Sequence, residues 1–483
     1  MSADKEPAAV KLPFSAGEYL CTWVVPGSGD SRLEIPGMLT VETGKYPWGV
    51  LYGKMPIEWT LSGESRMAAF PQRRSFDTLT GRLSTGAYVA LMNGELAYWF
   101  ETQGRATGAF AVLSQEEFSD DEHRKYTSIE VQIEGLEAVT GVAPIARTKS
   151  PTGKAADPTW AATVNDEANL KWEAGAHEMS FWYNGSFRSF DAYEFRMVFG
   201  PVLRLTSATP LTAVDWWLEW IRPLRQLISL MTTAPRDVRY VLASNGVEPR
   251  SHRDQLFGWD ITQEPVNSTR AAVEDIPSSV NLRADGVSLL DLLMKWQELA
   301  AVRHPLIETY GTMATTKDQH PRSRFLLLLQ ALEGLHGFEN KAKFERKVDG
   351  HSTARAETLE RAKELLAPED YKFIDAYLMK FPPQGLQDAL IAIFKSLPVD
   401  IVPELEKCEL VAQVRSENSD QGMRVETALQ KARNSLSHGT SAFAPDALDE
   451  VAQILDRVVR AEGLRVLGAP VAAQERALKK PER

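Results

Sequence analysis

The sequence predicts a multidomain α+β chain, a β-rich, sandwich-like N-terminal domain followed by an all-α helical bundle. Three observations carry this. Every tryptophan except Trp296 lies before residue 260. Apolar and polar residues alternate along the first part, the period of a half-buried strand; in Glu18–Val25, for instance, Tyr19, Cys21, Trp23 and Val25 share one side. After Val287 the apolar spacing becomes that of helices almost to the end. At 483 residues the chain exceeds what one core usually holds, so two or three domains are expected.

The elements follow in chain order. Tyr88–Met92 and Glu95–Phe100 flank Asn93-Gly94, and Met179–Tyr183 and the stretch from Phe187 flank Asn184-Gly185. Asn-Gly between two apolar runs is the strongest short hairpin signal, because both residues tolerate positive φ. Ser128–Leu136 and Tyr193–Phe199 add strands, and Arg147–Pro158 reads as a surface loop. A helix is expected over 213–232, where Trp216, Trp217, Trp220, Ile221, Leu224, Leu227, Ile228 and Met231 recur at helical spacing. Thr212 with Asp215 resembles a capping box, and Pro223 should kink or split the helix. The tryptophans read as packing of this helix on the sheet. Short strands near Val238–Leu242 and Gln255–Ile261 complete a domain over 1–261.

Residues 262–285, polar with Pro265 and Pro277, read as a linker. Helices are then expected at Leu289–Arg303, Ser323–Gly337, Ala354–Leu366, Pro368–Lys380, Gln384–Leu397, Glu404–Ser416, Met423–Ser437 and Pro445–Leu467, an all-α domain over 286–470. Residues 471–483 read as a basic, loose tail.

Composition narrows the function classes. The first twenty residues, with Asp4 and Glu6, lack the apolar core of a secretory signal, and the longest apolar run, near Phe325–Leu329, is far too short to span a bilayer. No membrane partner is therefore expected. Cys21 and Cys408 are the only cysteines, too few for a disulfide framework or a structural zinc site, which fits a reducing cytoplasm; no metal and no cofactor are expected. A net charge of −11 argues against a protein that coats nucleic acid but leaves room for a local basic cleft.

The segment with most chemical content is Lys-Ala-Arg-Asn-Ser-Leu-Ser-His-Gly, 431–439. It places Arg433, a cation that never titrates, near His438, the side-chain type that titrates closest to neutral pH. Asn434 sits one turn behind His438 on a helix, Arg433 lies about 140° round it, and Gly439 can end it in the left-handed conformation. A second Arg-to-His pair at the same spacing, Arg346 and His351, contains Asp349-Gly350 and is expected in a loop, a chance match.

Arg433-Asn434-Ser435-Leu436-Ser437-His438 resembles the R-N-x-x-x-H signature of HEPN domains. The apolar helix from Arg324 to His336, which carries Ala331-Leu332-Glu333 about a hundred residues upstream, is similar to the ApeA-like HEPN group. Gly17-Glu-Tyr-Leu-Cys-Thr-Trp23 resembles the β-rich N-terminal domain of ApeA-type proteins. The resemblance implies a cytoplasmic, metal-independent HEPN endoribonuclease, a toxin of anti-phage defence by abortive infection. It would cut host or phage RNA, with tRNA one candidate, by 2′-hydroxyl attack to leave 2′,3′-cyclic phosphate ends. It implies at least a homodimer through the helical domain. Carried over by position, Arg433 and His438 are catalytic and Asn434 holds the geometry. Glu333, at the edge of its helix's apolar face, is the candidate acid that orients Arg433. Lys431, Arg424, Lys341 and Lys343 are expected to meet RNA. A toxic nuclease needs restraint, so the N-terminal domain is expected to be the sensor or regulatory domain, answering a phage-derived trigger. The alternative is a non-enzymatic sensor or binding protein with a β-rich ligand domain and a helical dimerisation domain.

Overall fold

The computed structural model describes residues 8–26, 31–55, 57, 60–62, 65–99, 102–118, 124–149, 161–188, 196–246, 252–382, 385–439 and 442–480. The chain divides into two compact units, Met1–Met294 and Lys295–Arg483, the division falling within helix Leu289–Ala301. A β-rich unit followed by a helical one is what the residue patterning predicts.

In the first unit the antiparallel sheet closes on itself. Gly17–Pro26 pairs with Arg32–Val41, which pairs with Trp48–Tyr52, then Gln103–Ser114, then Tyr88–Trp99, then Gln72–Leu83, and this last strand returns to Gly17–Pro26. The alternating face of Gly17–Pro26 points inward, and Trp23, Leu39, Leu51, Leu91 and Tyr98 fill the barrel. The Trp23 ring needs a wall without side chains. A Cβ on Gly49 would stand 2.3 Å from that ring, so only glycine fits there. Trp23 Nε1 is satisfied by the Val50 carbonyl at 3.2 Å.

Gln103–Ser114 is long enough to serve two partners, and its second half carries the sheet onward. The order continues through Asp254–Gly258, Val238–Ser244, Lys125–Ile133, Arg196–Thr212, His177–Arg188 and Leu170–Ala174. The tryptophan helix packs on this extension. Trp216 Nε1 donates to the Tyr126 carbonyl at 3.0 Å, Trp217 lies 5.5 Å from Phe110, and all three helix tryptophans are buried. The Thr212–Asp215 capping box is present. The helix is not split at Pro223: a π turn over Trp216–Ile221 precedes it, which re-registers the backbone bonds ahead of the residue that has no N–H to give.

Neither Asn-Gly pair is a turn. Tyr88–Trp99 and His177–Arg188 run straight through them. Asn93 does take a positive φ of 50°, but the pairing register is the same on both sides, with Met92 opposite Phe110 and Gly94 opposite Gly108. Gly94 is there for proximity: a Cβ would lie 2.2 Å from the Thr107 carbonyl oxygen. The turn itself comes earlier, around Gly86, whose φ is 87°. Arg147–Lys149, expected in a loop, pair with residues 161–163; the rest of that stretch, and Tyr193 to Phe195, lie outside the described residues.

The segment read as a linker is bound to the first unit. Backbone N–H groups of Thr262, Ser268 and Ser279 donate to the carbonyls of Val238, Phe199 and Met231, Val266 N–H donates to Gln132 Oε1, and Val280 and Leu282 are buried. Its backbone is therefore tied down although side chains such as Glu264, Arg270 and Glu274 are exposed.

In the second unit, Pro321–Glu339 is the central helix. It buries Phe325, Leu328, Leu329, Leu332 and Leu335 and packs against Pro305–Met313, Leu386–Ser396 and Pro445–Val466. A buried polar cluster ties three of these helices together. Tyr310 Oη donates to Asp456 Oδ1 at 2.8 Å, Arg460 Nε donates to Asp456 Oδ2 at 2.7 Å, and Arg324 Nη2 lies 3.6 Å from the same oxygen. The C-terminal stretch is not loose through its whole length: Val471–Leu478 is a helix that buries Ala473, Ala477 and Leu478. Arg346 and His351 lie not in a loop but on helix Lys341–Leu365, where the neighbouring Lys, Ala, Glu and Arg outweigh the helix cost of Gly350. The stretch expected as one helix from Glu404 divides at Cys408 into Val402–Leu405 and Glu409–Glu417. Among the described residues no helix is long and apolar enough to cross a membrane.

His304, immediately before helix Pro305–Met313, is buried, and its Nδ1 has no hydrogen-bond partner. Burial holds its pKa below the ordinary histidine value; Glu339 opposes this and Arg465 adds to it. The folded chain therefore keeps His304 neutral where the unfolded chain takes up a proton. The stability so contributed is present above the unfolded pKa and lost as pH falls through the folded one. Thermal unfolding between pH 7.5 and pH 5 should show a falling midpoint, and His304→Gln should flatten that fall.

Candidate active site on the helical unit

Helix Val425–His438 buries Val425, Ala428, Leu429, Ala432 and Leu436, a stripe at three- and four-residue spacing. That stripe fixes the rotation of the helix, leaving Arg433 half-buried at its edge and Asn434 and His438 exposed. Gly439, with φ 68°, ends the helix as its left-handed cap, its N–H donating to Leu436 and Ser435 carbonyls.

Arg433 is held on both sides. Its Nη2 donates to Glu333 Oε2 at 3.2 Å and its Nη1 donates to Asn434 Oδ1 at 3.2 Å. Glu333 comes from the central helix, so the pair joins two helices at a solvent-facing edge. The side chains of Arg433 and Glu333 are 38% and 34% exposed, so screening limits what the pair adds to stability, and its consequence is orientation of the guanidinium. His438 stands one turn beyond Asn434. It is five residues from Arg433, about 7.5 Å along the axis and on a different face.

Arg322 was not expected here. Its Nη2 donates to the Leu436 carbonyl, in the last turn of the signature helix, which also accepts from the Gly439 N–H. The signal for it was legible: Arg322 follows Pro321 in the first turn of a helix, where a cation opposes the dipole unless it has a partner elsewhere. The central helix runs on to Glu339 and is capped by Asn340, so His336 lies in its last turn and Gly337 does not end it. His336 and Glu333 line a solvent-open pocket with Lys343, Lys347 and Asp388.

The expected RNA-contacting residues divide. Lys343 lines that pocket, and Lys341 is exposed beside it on the same helix. Lys431 donates to Asn418 Oδ1 at 2.9 Å and Arg424 pairs with the buried Glu426 at 3.0 Å, and both cations are exposed.

Residues 18–253 match the family model described as ApeA N-terminal domain 1. The sheet unit is an ApeA N-terminal domain. The match supports an ApeA-like family for this unit and stops short of the helices that carry Arg433. No curated protein and no solved structure matches the chain. The ApeA N-terminal domain thus includes the closed barrel and almost the whole of its extension, as far as the start of the strand Asp254–Gly258.

Proposed function

We propose that the helical unit is a metal-independent endoribonuclease of the HEPN type, the effector of an ApeA-like anti-phage defence protein. The observation that carries this is the clamped Arg433: a guanidinium oriented by Glu333 and Asn434, open to solvent, on the helix that ends in the exposed His438. RNA carries its own nucleophile. The 2′-hydroxyl attacks phosphorus, the bond from phosphorus to the 5′-oxygen breaks, and a 2′,3′-cyclic phosphate and a 5′-hydroxyl result. The protein must align the hydroxyl, stabilise charge on the phosphoryl oxygens and move two protons, one off the 2′-oxygen and one onto the leaving oxygen. Arg433 suits the charge, with paired N–H donors. His438 suits the protons.

A single chain offers one His438 for two proton transfers. A second copy related by a two-fold axis would bring a second signature and complete an acid–base pair. The partners in this reading are RNA, with tRNA one candidate, a second copy of the chain, and a phage-derived trigger read by the N-terminal domain.

Purified protein and total RNA incubated with excess chelator test this. New RNA fragments should appear with the wild type and be absent with His438→Ala. Fragments that vanish on chelation would mean metal-dependent cleavage, fragments that His438→Ala yields equally would remove His438 from the chemistry, and no fragments at all would favour a non-enzymatic binding protein. Glu333→Gln probes the orienting role. It should lower kcat about tenfold at unchanged KM, since the guanidinium stays but its direction is lost.

A further inference from the structure

The geometry points to a nucleotide pocket that selects guanine, beside Arg433; its substrate class rests on the ribonuclease reading above. The pocket lies where the central helix gives way at Asn340 to helix Lys341–Leu365 and where helix Leu386–Ser396 begins. It is a shallow pocket of about 90 Å³, open to solvent, so a ligand seated there stands partly outside it. His336, Asn340, Lys343, Phe344, Lys347 and Asp388 line it. Glu333 lines it too, and the same side chain holds Arg433, so pocket and signature share a wall.

The chemistry of the lining is mixed in a way that narrows the ligand. Lys343 and Lys347 stand four residues apart on one helix, both exposed, and present two ammonium groups to a phosphate. Asp388 would repel a simple anion, and the lysines would repel a simple cation. A ligand that is anionic at one end and rich in N–H donors at the other satisfies both. Asn340 gives one N–H of its amide to the His336 carbonyl at 2.9 Å, which leaves it a carbonyl oxygen and a second N–H. The acceptor for a base edge is the Asp388 carboxylate. Guanine is the RNA base with two adjacent donors, N1–H and the 2-amino group, on its Watson–Crick edge, and a carboxylate accepts both at once. Phe344, half-buried between the lysines, supplies an aromatic surface for the base plane. Unpaired bases are read in this manner, by edge and by stacking.

Binding is measured by fluorescence anisotropy with full-length His438→Ala, which leaves the RNA intact. The probes are labelled eight-nucleotide uridine RNAs with one central G, A, C or U. The G probe should bind at least about fivefold tighter than the others. Asp388→Asn, added to the same background, should bring the four probes within about twofold of one another. Lys343→Glu with Lys347→Glu should weaken all four about tenfold or more and leave their order intact. Equal binding of the four probes by the parent, or variants that bind as the parent does, would overturn the pocket. Far-UV circular dichroism of each variant separates misfolding from lost contact. Cleavage by the wild type together with unaltered binding in the variants removes the pocket and leaves the nuclease. The expected binding pattern from a wild type that cuts nothing does the reverse.

Discussion

His438→Ala should lower the rate of RNA cleavage by about 10²–10⁴-fold, the usual contribution of a positioned proton donor or acceptor. The thermal midpoint should stay within about a degree, because surface substitutions away from the core are nearly neutral. The two effects separate because packing and chemistry lie on different faces of one helix. Leu436 and Ala432 hold the helix in the bundle, whereas His438 is exposed beyond them. Arg433→Lys should be nearly as damaging as Arg433→Ala. Lysine keeps the charge but loses the planar fork that reaches Glu333, Asn434 and a phosphate together. Single-turnover rates on a short RNA, beside melting curves of the same preparations, give both readouts.

Asp456→Ala should have the largest effect on stability, about 3–5 kcal/mol, the cost of leaving a buried cation without its partner. Arg460 is buried, and Asp456 Oδ2 receives its Nε at 2.7 Å. The same carboxylate accepts from Tyr310, whose phenol burial already pushes well above its ordinary pKa. Removing Asp456 takes from both groups their shared carboxylate acceptor in a buried site. Since a domain's whole stability is about 5–15 kcal/mol, urea unfolding should begin at markedly lower concentration. Replacing Asp456 and Arg460 together by apolar residues of similar size should recover much of the loss, since no buried charge is then left over. Glu333→Gln, by contrast, should barely move the midpoint, because that pair is about one-third exposed.

How far the sequence could be read depends on the range of the force involved. Periodicity is local, and it located the strand at Gly17–Pro26, the tryptophan helix and the signature helix with its glycine cap. What could not be read locally was closure. Nothing near Gln72–Leu83 announces that it returns to Gly17–Pro26; the constraint is the Trp23 ring packed against Gly49 and Gly81, residues distant in sequence. The Asn-Gly pairs misled for the same reason. Glycine signals either positive φ or close approach, and only the Thr107 carbonyl, which is not adjacent in sequence, decides between them at Gly94. Residues 262–285 read as a linker because their polar groups were assigned to water, whereas the sheet accepts and donates those bonds. At the candidate site, a carboxylate at the edge of an apolar face needs a partner, which made Glu333 and Arg433 legible as a pair. The pocket beside Glu333 depends on where helices meet.

The account stands most directly on the chemistry of the ends it predicts. RNA cut by the wild type in the presence of chelator should carry 2′,3′-cyclic phosphate and 5′-hydroxyl termini, detected by ligation that requires those ends. Termini with 3′-hydroxyl and 5′-phosphate would mean that water, not the 2′-hydroxyl, was the nucleophile, and would contradict the roles given to Arg433 and His438.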